Sequence, residues 1–432
     1  MKGRLNVFQA MMLRWRDLHP YSAVHAVRVD ASLDATRLAR DIDRLLEIRG
    51  LTGLELDAAG RRFEYRGGPN GSTLQVVDGR REPRVTLERE MERQLNLPFA
   101  RRGRIEPFRF FAVDAGQGFY LGLAYDHFVA AGDSIVVLLA QLVRRYRAVV
   151  ADPNADEPWP LYPATFRRLL RRHALTLLHG LRRLPALAGS CRRGVRPRYP
   201  GGSEGYNAVR LLRLDPPQFA ATLREAKRCG VTLNDLVIAL LLKAVARRID
   251  PRDPRERRHE IGVASIVNLR GAMGPDARKA FGQFLAAFRV AHPVPTDITL
   301  EALARDVNMQ TARVKREELH LQSLLALGAS ALIWPFLSDA QRRGYHAKNY
   351  PVWGGTTLLD AGGIWANSGE PTPPSEYVRA VSTGPLAPLV LAPTSAGGAL
   401  EIGITYRPAA FSAEDIAALA ADFQSPIGAF AQ

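Results

Sequence analysis

Cysteine is nearly absent: the 432 residues contain only two, Cys191 and Cys229. Two thiols cannot build a disulfide framework or a cysteine-rich zinc site, and they fit a reducing compartment. Metal-binding spacings are missing as well. None of the nine histidines forms an HExxH pair, and His173 and His179 stand too far apart along a helix to share an ion. No metal is expected, and no Walker-type phosphate loop occurs. Long hydrophobic runs are also lacking. The longest, Leu324–Leu337, holds Ser330 and Pro335. It falls short of the ~20 residues that span a bilayer, so a buried helix is expected there. Charge breaks up the N-terminal apolar stretch too early for a signal-peptide core. These absences point to a soluble, cytoplasmic protein, with room for peripheral contact with a membrane.

Arginine is plentiful. Lys+Arg is 59 against Asp+Glu 43, a net charge of +16, and few of those cations are lysine. A balance this basic favours anionic partners: nucleic acid, a membrane surface, a phosphorylated cofactor or an acidic carrier protein. The hydrophobic fraction of 47% is ordinary for a globular chain and excludes a disordered one. Length allows roughly two to three domains.

The pattern along the chain alternates strands with helices. Ser22–Asp30 reads as a strand with Ala23, His25, Val27 and Val29 on one face and Val24, Ala26 and Arg28 on the other. A helix follows, with Ser32 as the expected cap and Leu38, Ile42, Leu45 and Leu46 at helical spacing. Residues 60–79 read as a hairpin around Gly68-Pro69-Asn70-Gly71. Residues 108–127 read as a second hairpin, turning at Asp114–Gly118, and Ser134 opens another helix. Residues 153–163 are proline-rich. From Phe166 to Arg198 there are ten arginines and no acid, and 197–205 resembles a linker. Beyond it come a strand at 206–215, helices at 216–230 and from Thr232 or Asn234, and a buried strand at 261–271. Helices fill 299–345. Strands at 377–382, 387–393 and 399–406 precede a last helix at 412–423. The expected architecture is α/β, with an N-terminal unit over 1–165, an Arg-rich crossover over 166–205 and a C-terminal unit over 206–432.

Candidate chemistry is sparse. Gly116-Gln117-Gly118 lies between two strands and reads as a turn rather than a phosphate loop. Gly201-Gly202-Ser203-Glu204-Gly205 matches GxSxG by letters, but no strand–turn–helix context supports a nucleophile elbow. One segment stands out: Tyr125-Asp126-His127-Phe128-Val129-Ala130-Ala131-Gly132-Asp133-Ser134. It carries His127 to the end of a strand, through a loop with a glycine, and into a helix. An imidazole presented there suits general-base work on a hydroxyl or amine; a loop histidine bonded to backbone is the plainer alternative.

That segment resembles the HHxxxDG motif of the CoA-dependent acyltransferase superfamily. This superfamily includes condensation domains of peptide synthetases and acyltransferases acting on polyketides, wax esters and glycolipids. His127 matches the second, catalytic histidine, Gly132 the glycine, and Ser134 a frequent serine. Asp126 stands where the first histidine belongs, and Ala131 where the aspartate belongs. Other stretches agree in order. Residues 95–113 resemble the approach to the motif, and 231–247 the helix after the crossover. Val267-Asn268-Leu269-Arg270 matches the "VNLR" strand, and 400–419 the last strand and helix. No DFGWG motif is present; residues 349–363 occupy its place.

The resemblance implies two condensation-like, chloramphenicol-acetyltransferase-like lobes with a tunnel between them and His127 on its wall. It implies transfer of an acyl group from a CoA or carrier-protein thioester to a hydroxyl or amine of a small-molecule acceptor. Acyl-CoA or a phosphopantetheine thioester would then be the co-substrate, with no permanent cofactor. His127 would be the base and the Gly132 N–H an oxyanion donor. Asn268 and Arg270 would support the loop. With Ala131 in place of the aspartate, Arg270 needs another acceptor: Asp133, Asp126 or a carbonyl. Asp126 is attractive because it adjoins His127 and could raise its pKa. A catalytically impaired relative that only binds a carrier-bound or lipid ligand is the rival reading. In the Arg-rich segment, Arg167, Arg168, Arg171 and Arg172 are candidates to dock an anion: CoA phosphates, an acyl carrier protein or anionic lipid. A solvated helix is the alternative. The absence of a recognised motif argues against nucleic acid.

Overall fold

The computed structural model describes residues 1–57, 59–71, 73–147, 158–161, 166–199, 205–247, 257–293, 298–368, 370 and 372–424. Among these, three sheets form. The first has the strand order Tyr377–Val381, Ser22–Val29, Phe119–Asp126, Phe108–Asp114, Gln75–Asp78. Alternation in Ser22–Val29 explains how it is covered. Ala23, Val27 and Val29 face Leu38 and Leu45 of helix Ala35–Ile48 and Ile135 and Leu139 of helix Gly132–Tyr146. Val24 and Ala26 face Leu87, Met91 and Leu95 of helix Pro83–Asn96. Each of those three side chains contributes roughly 1.5–3 kcal/mol by burial. That suffices to seat a helix whose other positions are mostly charged.

The second sheet runs Leu285–Pro293, Glu260–Asn268, Gly354–Thr356, Leu389–Ala396, Ala399–Tyr406, Ala208–Leu214, with Leu359–Asp360 also pairing Leu389–Ala396. Helix Leu233–Ala246 is apolar nearly all round because it lies between this sheet and helices Leu300–Arg316 and Ala413–Gln424. Thr232 caps it in a reciprocal box with Asp235. The third sheet is small: Lys2–Arg4, Arg62–Tyr65, Leu54–Leu56 and Arg104–Ile105.

Strand pairing and a covering helix tie the two lobes together. Strand Tyr377–Val381 comes from the C-terminal half of the sequence but pairs with Ser22–Val29, so the lobes are not simply the two sequence halves. It also lies against Ala399–Tyr406 of the second sheet, where Gly403 leaves no room for a side chain: a Cβ would sit 1.7 Å from the Arg379 carbonyl oxygen. The exposed edge of Ala208–Leu214 is covered by helix Pro83–Asn96. Glu92 accepts the Val209 N–H at 2.8 Å and Glu88 the Leu211 N–H at 2.7 Å.

Several expectations need correction. Asp34, not Ser32, caps helix Ala35–Ile48, its carboxylate accepting the Arg37 N–H at 2.9 Å. The hairpin expected over 60–79 does not form. Arg62–Tyr65 joins the small sheet, while Gln75–Asp78 pairs parallel to Phe108–Asp114, a distant contact that outweighs the local turn. The apolar run Leu324–Leu337 is helical but only partly buried, with Leu324 and Trp334 in the core. In helix Gln322–Ile333 only Leu324 is buried, and Leu332 and Phe336 are 77% and 85% exposed. Of the GxSxG letters, Gly201–Glu204 lie outside the described residues, as do 148–157 and 162–165 around the proline-rich stretch. The crossover is helical over Arg167–Arg172, Ala174–Leu181 and Leu184–Arg193.

Candidate active site

Strand Phe119–Asp126 delivers His127 to its end, and helix Gly132–Tyr146 begins five residues later. The intervening loop is pinned from both lobes. The His127 N–H donates to the Tyr21 carbonyl at 3.3 Å, the Val129 N–H to the Asp126 carbonyl at 3.0 Å, and the Ala131 N–H to the Gly282 carbonyl at 3.0 Å.

His127 is buried, its ring packed near Tyr21 and Tyr125 with centroids at 5.6 and 5.8 Å. Its Nδ1 lies 3.3 Å from the Ala130 carbonyl oxygen, an acceptor only. That contact places the proton on Nδ1 and leaves the Nε2 lone pair free. No group among the described residues bonds Nε2. Burial, with the Arg379 charge adding to it, pushes the imidazole down to about 4, against the pull of Ala130. The ring is therefore neutral near pH 7 and able to accept a proton.

His127 lines a cavity of about 140 Å³ whose walls come from both lobes. Tyr125, Gly132, Asp133 and Arg379 contribute from the first sheet and the helix packed on it, and Asn268 and Thr356 from the second sheet. Gly132 opens the helix at its first position, where the main-chain N–H groups have no partner within the helix. A Cβ on Gly132 would lie 3.1 Å from Arg379 Nη1 and 3.4 Å from His25 and Leu359 atoms, so the glycine keeps this end of the cavity open.

Behind the loop, Arg270 is buried and held by several partners. It forms an ion pair through Nε with Asp133. Its Nη1 donates to the carbonyls of Ala277, at 2.7 Å, and Ala280, and its Nη2 to Ser134 Oγ and, at 3.2 Å, to the Gly282 carbonyl. Asn268 completes the arrangement, donating to Asp133 at 2.8 Å and accepting the Arg270 N–H at 3.0 Å. So the acceptor that Arg270 needs in place of a residue at Ala131 is Asp133, with carbonyls beside it.

Asp126 is not that acceptor and does not touch the His127 ring. Its carboxylate pairs with Arg16, whose guanidinium also lies 5.4 Å from the Phe128 ring centre. Burial raises the Asp126 carboxyl, and Arg16 opposes the rise. The geometry therefore gives Asp126 a structural role at the strand end, paired with Arg16, and it is not among the groups that shift the His127 ring.

Arg167, Arg168, Arg171 and Arg172 are exposed on a short helix that packs against Arg270–Met273, and they do not line the cavity. Sequence reading passed over Arg379, Thr356 and the His25–Tyr377 pair, whose Nδ1 and hydroxyl are 2.8 Å apart. The available signal was a lone arginine in an otherwise apolar strand, Tyr377-Val378-Arg379-Ala380-Val381.

Comparison with known proteins identifies the fold and a partial sequence match. The family model described as phthiocerol/phthiodiolone dimycocerosyl transferase C-terminus matches residues 203–335. No curated protein matches the chain in sequence. Among solved structures, the first condensation domain of the CDA synthetase superposes with a TM-score of 0.67 at 18% identity, covering 98% of this chain and 94% of that one. The SgcC5 protein from Streptomyces globisporus gives 0.66 at 15% identity, covering 97% and 96%. The X-domain from teicoplanin biosynthesis gives 0.62 at 19%, covering 97% and 93%. At these identities the superpositions show that the chain has the condensation-domain fold, and the sequence match to the dimycocerosyl transferase C-terminus extends over 203–335.

Proposed function

We propose that the protein is an acyltransferase that moves an acyl group from a CoA or carrier-protein thioester to a hydroxyl or amine, with His127 as general base. The observation that carries this reading is the free Nε2 of a neutral imidazole on a cavity lined by both lobes. Nε2 takes the proton of the acceptor O–H or N–H as oxygen or nitrogen attacks the thioester carbonyl. The C–O or C–N bond forms and negative charge collects on the carbonyl oxygen. The Gly132 N–H, at the positive end of a fifteen-residue helix, is the proposed donor to that oxygen. The intermediate collapses by breaking the C–S bond, and the thiolate takes the proton back from Nε2.

Asp133, Asn268 and Arg270 act through the loop, holding Gly132 and Ser134 in register with the second lobe. Their engagement supports catalysis over the rival reading of an impaired binding protein, because the motif's missing carboxylate has a replacement. For the donor, the exposed Arg167, Arg168, Arg171 and Arg172 are the proposed docking cations for CoA phosphates or an acidic carrier protein.

The test is to incubate purified protein with acyl-CoA and acyl-pantetheine thioesters and a panel of alcohols and amines, following free thiol and acylated product together. Product formation that disappears in His127→Ala supports the reading. Thiol release that is identical in wild type and His127→Ala, with no acylated acceptor, overturns it.

A further inference from the structure

Arg379 carries a charge that the mechanism above does not use. It is 3% exposed, in the middle of strand Tyr377–Val381. Three neutral acceptors hold it: Thr394 Oγ1 takes Nε–H at 2.8 Å, and the carbonyls of Thr357 and Pro393 take Nη2–H at 2.6 and 3.0 Å. Nη1 has no partner among the described residues. It points to the space beside Gly132, in the cavity that His127 also lines. No carboxylate among the described residues pairs with Arg379, and the nearby acid, Asp133, is taken by Arg270 and Asn268. Thr356, which lines the same cavity, has a buried hydroxyl with no partner among the described residues.

An uncompensated buried guanidinium costs several kcal/mol, and an unpaired buried hydroxyl adds to that. Both are repaid by a ligand that brings a negative charge and acceptor oxygens. The fork of Arg379 is already fixed on one side, so Nη1 is preorganised for such a group. We infer that the cavity recognises a small carboxylate-bearing substrate, its carboxylate bound by Arg379 Nη1 and the Thr356 hydroxyl. This rests on the acyltransfer reading for what happens next, but not for binding. The carboxylate has two possible sources: an amino- or hydroxy-acid acceptor, or the free end of a dicarboxylic half-thioester.

Calorimetry with small amino acids, hydroxy acids and dicarboxylic acids, each against its methyl ester, tests binding without turnover. The expected result is that at least one acid binds tenfold or more tighter than its ester and that Arg379→Gln removes the difference. Kinetics with the same pairs then shows the source, as a KM raised tenfold or more in the variant for the acid form of acceptor or donor alone. Acids and esters binding alike to wild type overturns the inference, and so does a kcat lowered equally for both forms in Arg379→Gln. If Arg379→Gln does not fold, Arg379→Lys and Thr356→Val take its place, with the acid–ester difference in wild type still decisive. Failure of acyl transfer with every acceptor would sink the proposed function while leaving the binding result to stand or fall alone.

A second inference rests on the surface. Helix Gln322–Ile333 and the turn after it expose Leu332, Ile333 and Phe336. Helix Ala174–Leu181 packs against it, with Gly180 touching Gln322, and exposes Leu175, Leu178 and Leu181. Cations border this apolar face. Arg14 donates to the Ala331 carbonyl at 2.7 Å, and Arg342 to the carbonyls of Trp334 and Pro335, although Asp339 takes a share of Arg342. The crossover adds exposed arginines, among them Arg168, Arg171, Arg172 and Arg182, while Arg183 pairs with Glu317 and Arg193 with Glu260.

Apolar side chains beside a basic rim match an anionic lipid surface. Helix Val7–Trp15 packs against the exposed helix, so one of its faces is held by the protein while Leu332, Ile333 and Phe336 are open to a membrane surface. We propose that this face docks on anionic membrane. Sedimentation with phosphatidylglycerol-rich vesicles should retain the protein at low salt, pure phosphatidylcholine vesicles much less. Leu332→Ser with Phe336→Ser should reduce retention tenfold or more at unchanged thermal stability. Equal retention by both vesicle types, or by wild type and the double variant, overturns the proposal. Competition by an acyl carrier protein with no vesicle binding would assign the face to that partner instead.

Discussion

Asp133 holds Arg270 from two positions beyond the place where the family pattern puts its aspartate. The loop is rebuilt so that the carboxylate comes from the first turn of helix Gly132–Tyr146 instead of from the residue before it. Removing that carboxylate strands a buried guanidinium. Asp133→Asn is expected to lose about 3–5 kcal/mol, the usual cost of breaking a buried pair. The four oxygens that still accept from Arg270 favour the lower end. A urea midpoint equal to wild type would remove the pair from the account of the loop.

Ala131→Asp should not raise activity. The Nη1 and Nη2 donors of Arg270 already have acceptors, and a second carboxylate two residues from Asp133 adds like-charge repulsion in a buried site. A large gain in transfer rate would instead show that Asp133 substitutes poorly for the missing residue.

His127→Ala should lower transfer by roughly a hundredfold or more, the scale of a lost general base. The pH profile is the sharper measurement. With the imidazole held down to about 4, kcat/KM should stay level from neutrality into the weakly acidic range and fall only as pH approaches that value. A break near the ordinary histidine value of about 6.5 would contradict the burial of the ring.

The same burial sets the acid stability. His127 and His346 are pushed down to about 4, His19 to about 3, and His25 well below its ordinary value, in each case chiefly by desolvation. The unfolded chain protonates these groups first, so their stabilisation is complete above about pH 6.5 and is lost as pH falls toward 4 and below. Each contributes a slope of about 1.4 kcal/mol per pH unit within its window. Asp126, raised by burial, acts in the opposite sense at the acid end. Thermal melts should fall steeply below pH 6; a flat profile from pH 7 to 4.5 would mean these rings are hydrated.

What was legible in the sequence follows from range. Period-two alternation assigned the faces of Ser22–Val29, and turn residues placed the hairpin at Asp114–Gly118, because both are local signals. His127 at a strand end was visible for the same reason. The Arg379 site was not, because its burial depends on Tyr377–Val381 pairing with a strand some 350 residues earlier. Composition also failed at Leu324–Leu337: an apolar run states that something should cover it, but not what, and here the described residues leave Leu332, Ile333 and Phe336 exposed.

Gly132 separates fold from function most cleanly. Its backbone is ordinary helix, so alanine carries no conformational strain there, and alanine is the better helix former. The added methyl would meet Arg379 Nη1 at 3.1 Å and atoms of His25 and Leu359 at 3.4 Å. Of these, the Nη1 end has no bond to break and can yield by a few tenths of an ångström. Gly132→Ala should therefore leave stability within about 1 kcal/mol of wild type. The methyl nevertheless occupies the space between the helix N-terminus and the cavity, where the thioester carbonyl must approach the Gly132 N–H. Loss of one oxyanion donor costs on the order of a hundredfold in kcat. A correctly folded Gly132→Ala protein with kcat reduced on that scale is the expected result. A variant with full activity would show that the oxyanion is held elsewhere, and Arg379 Nη1 would then be the group to examine.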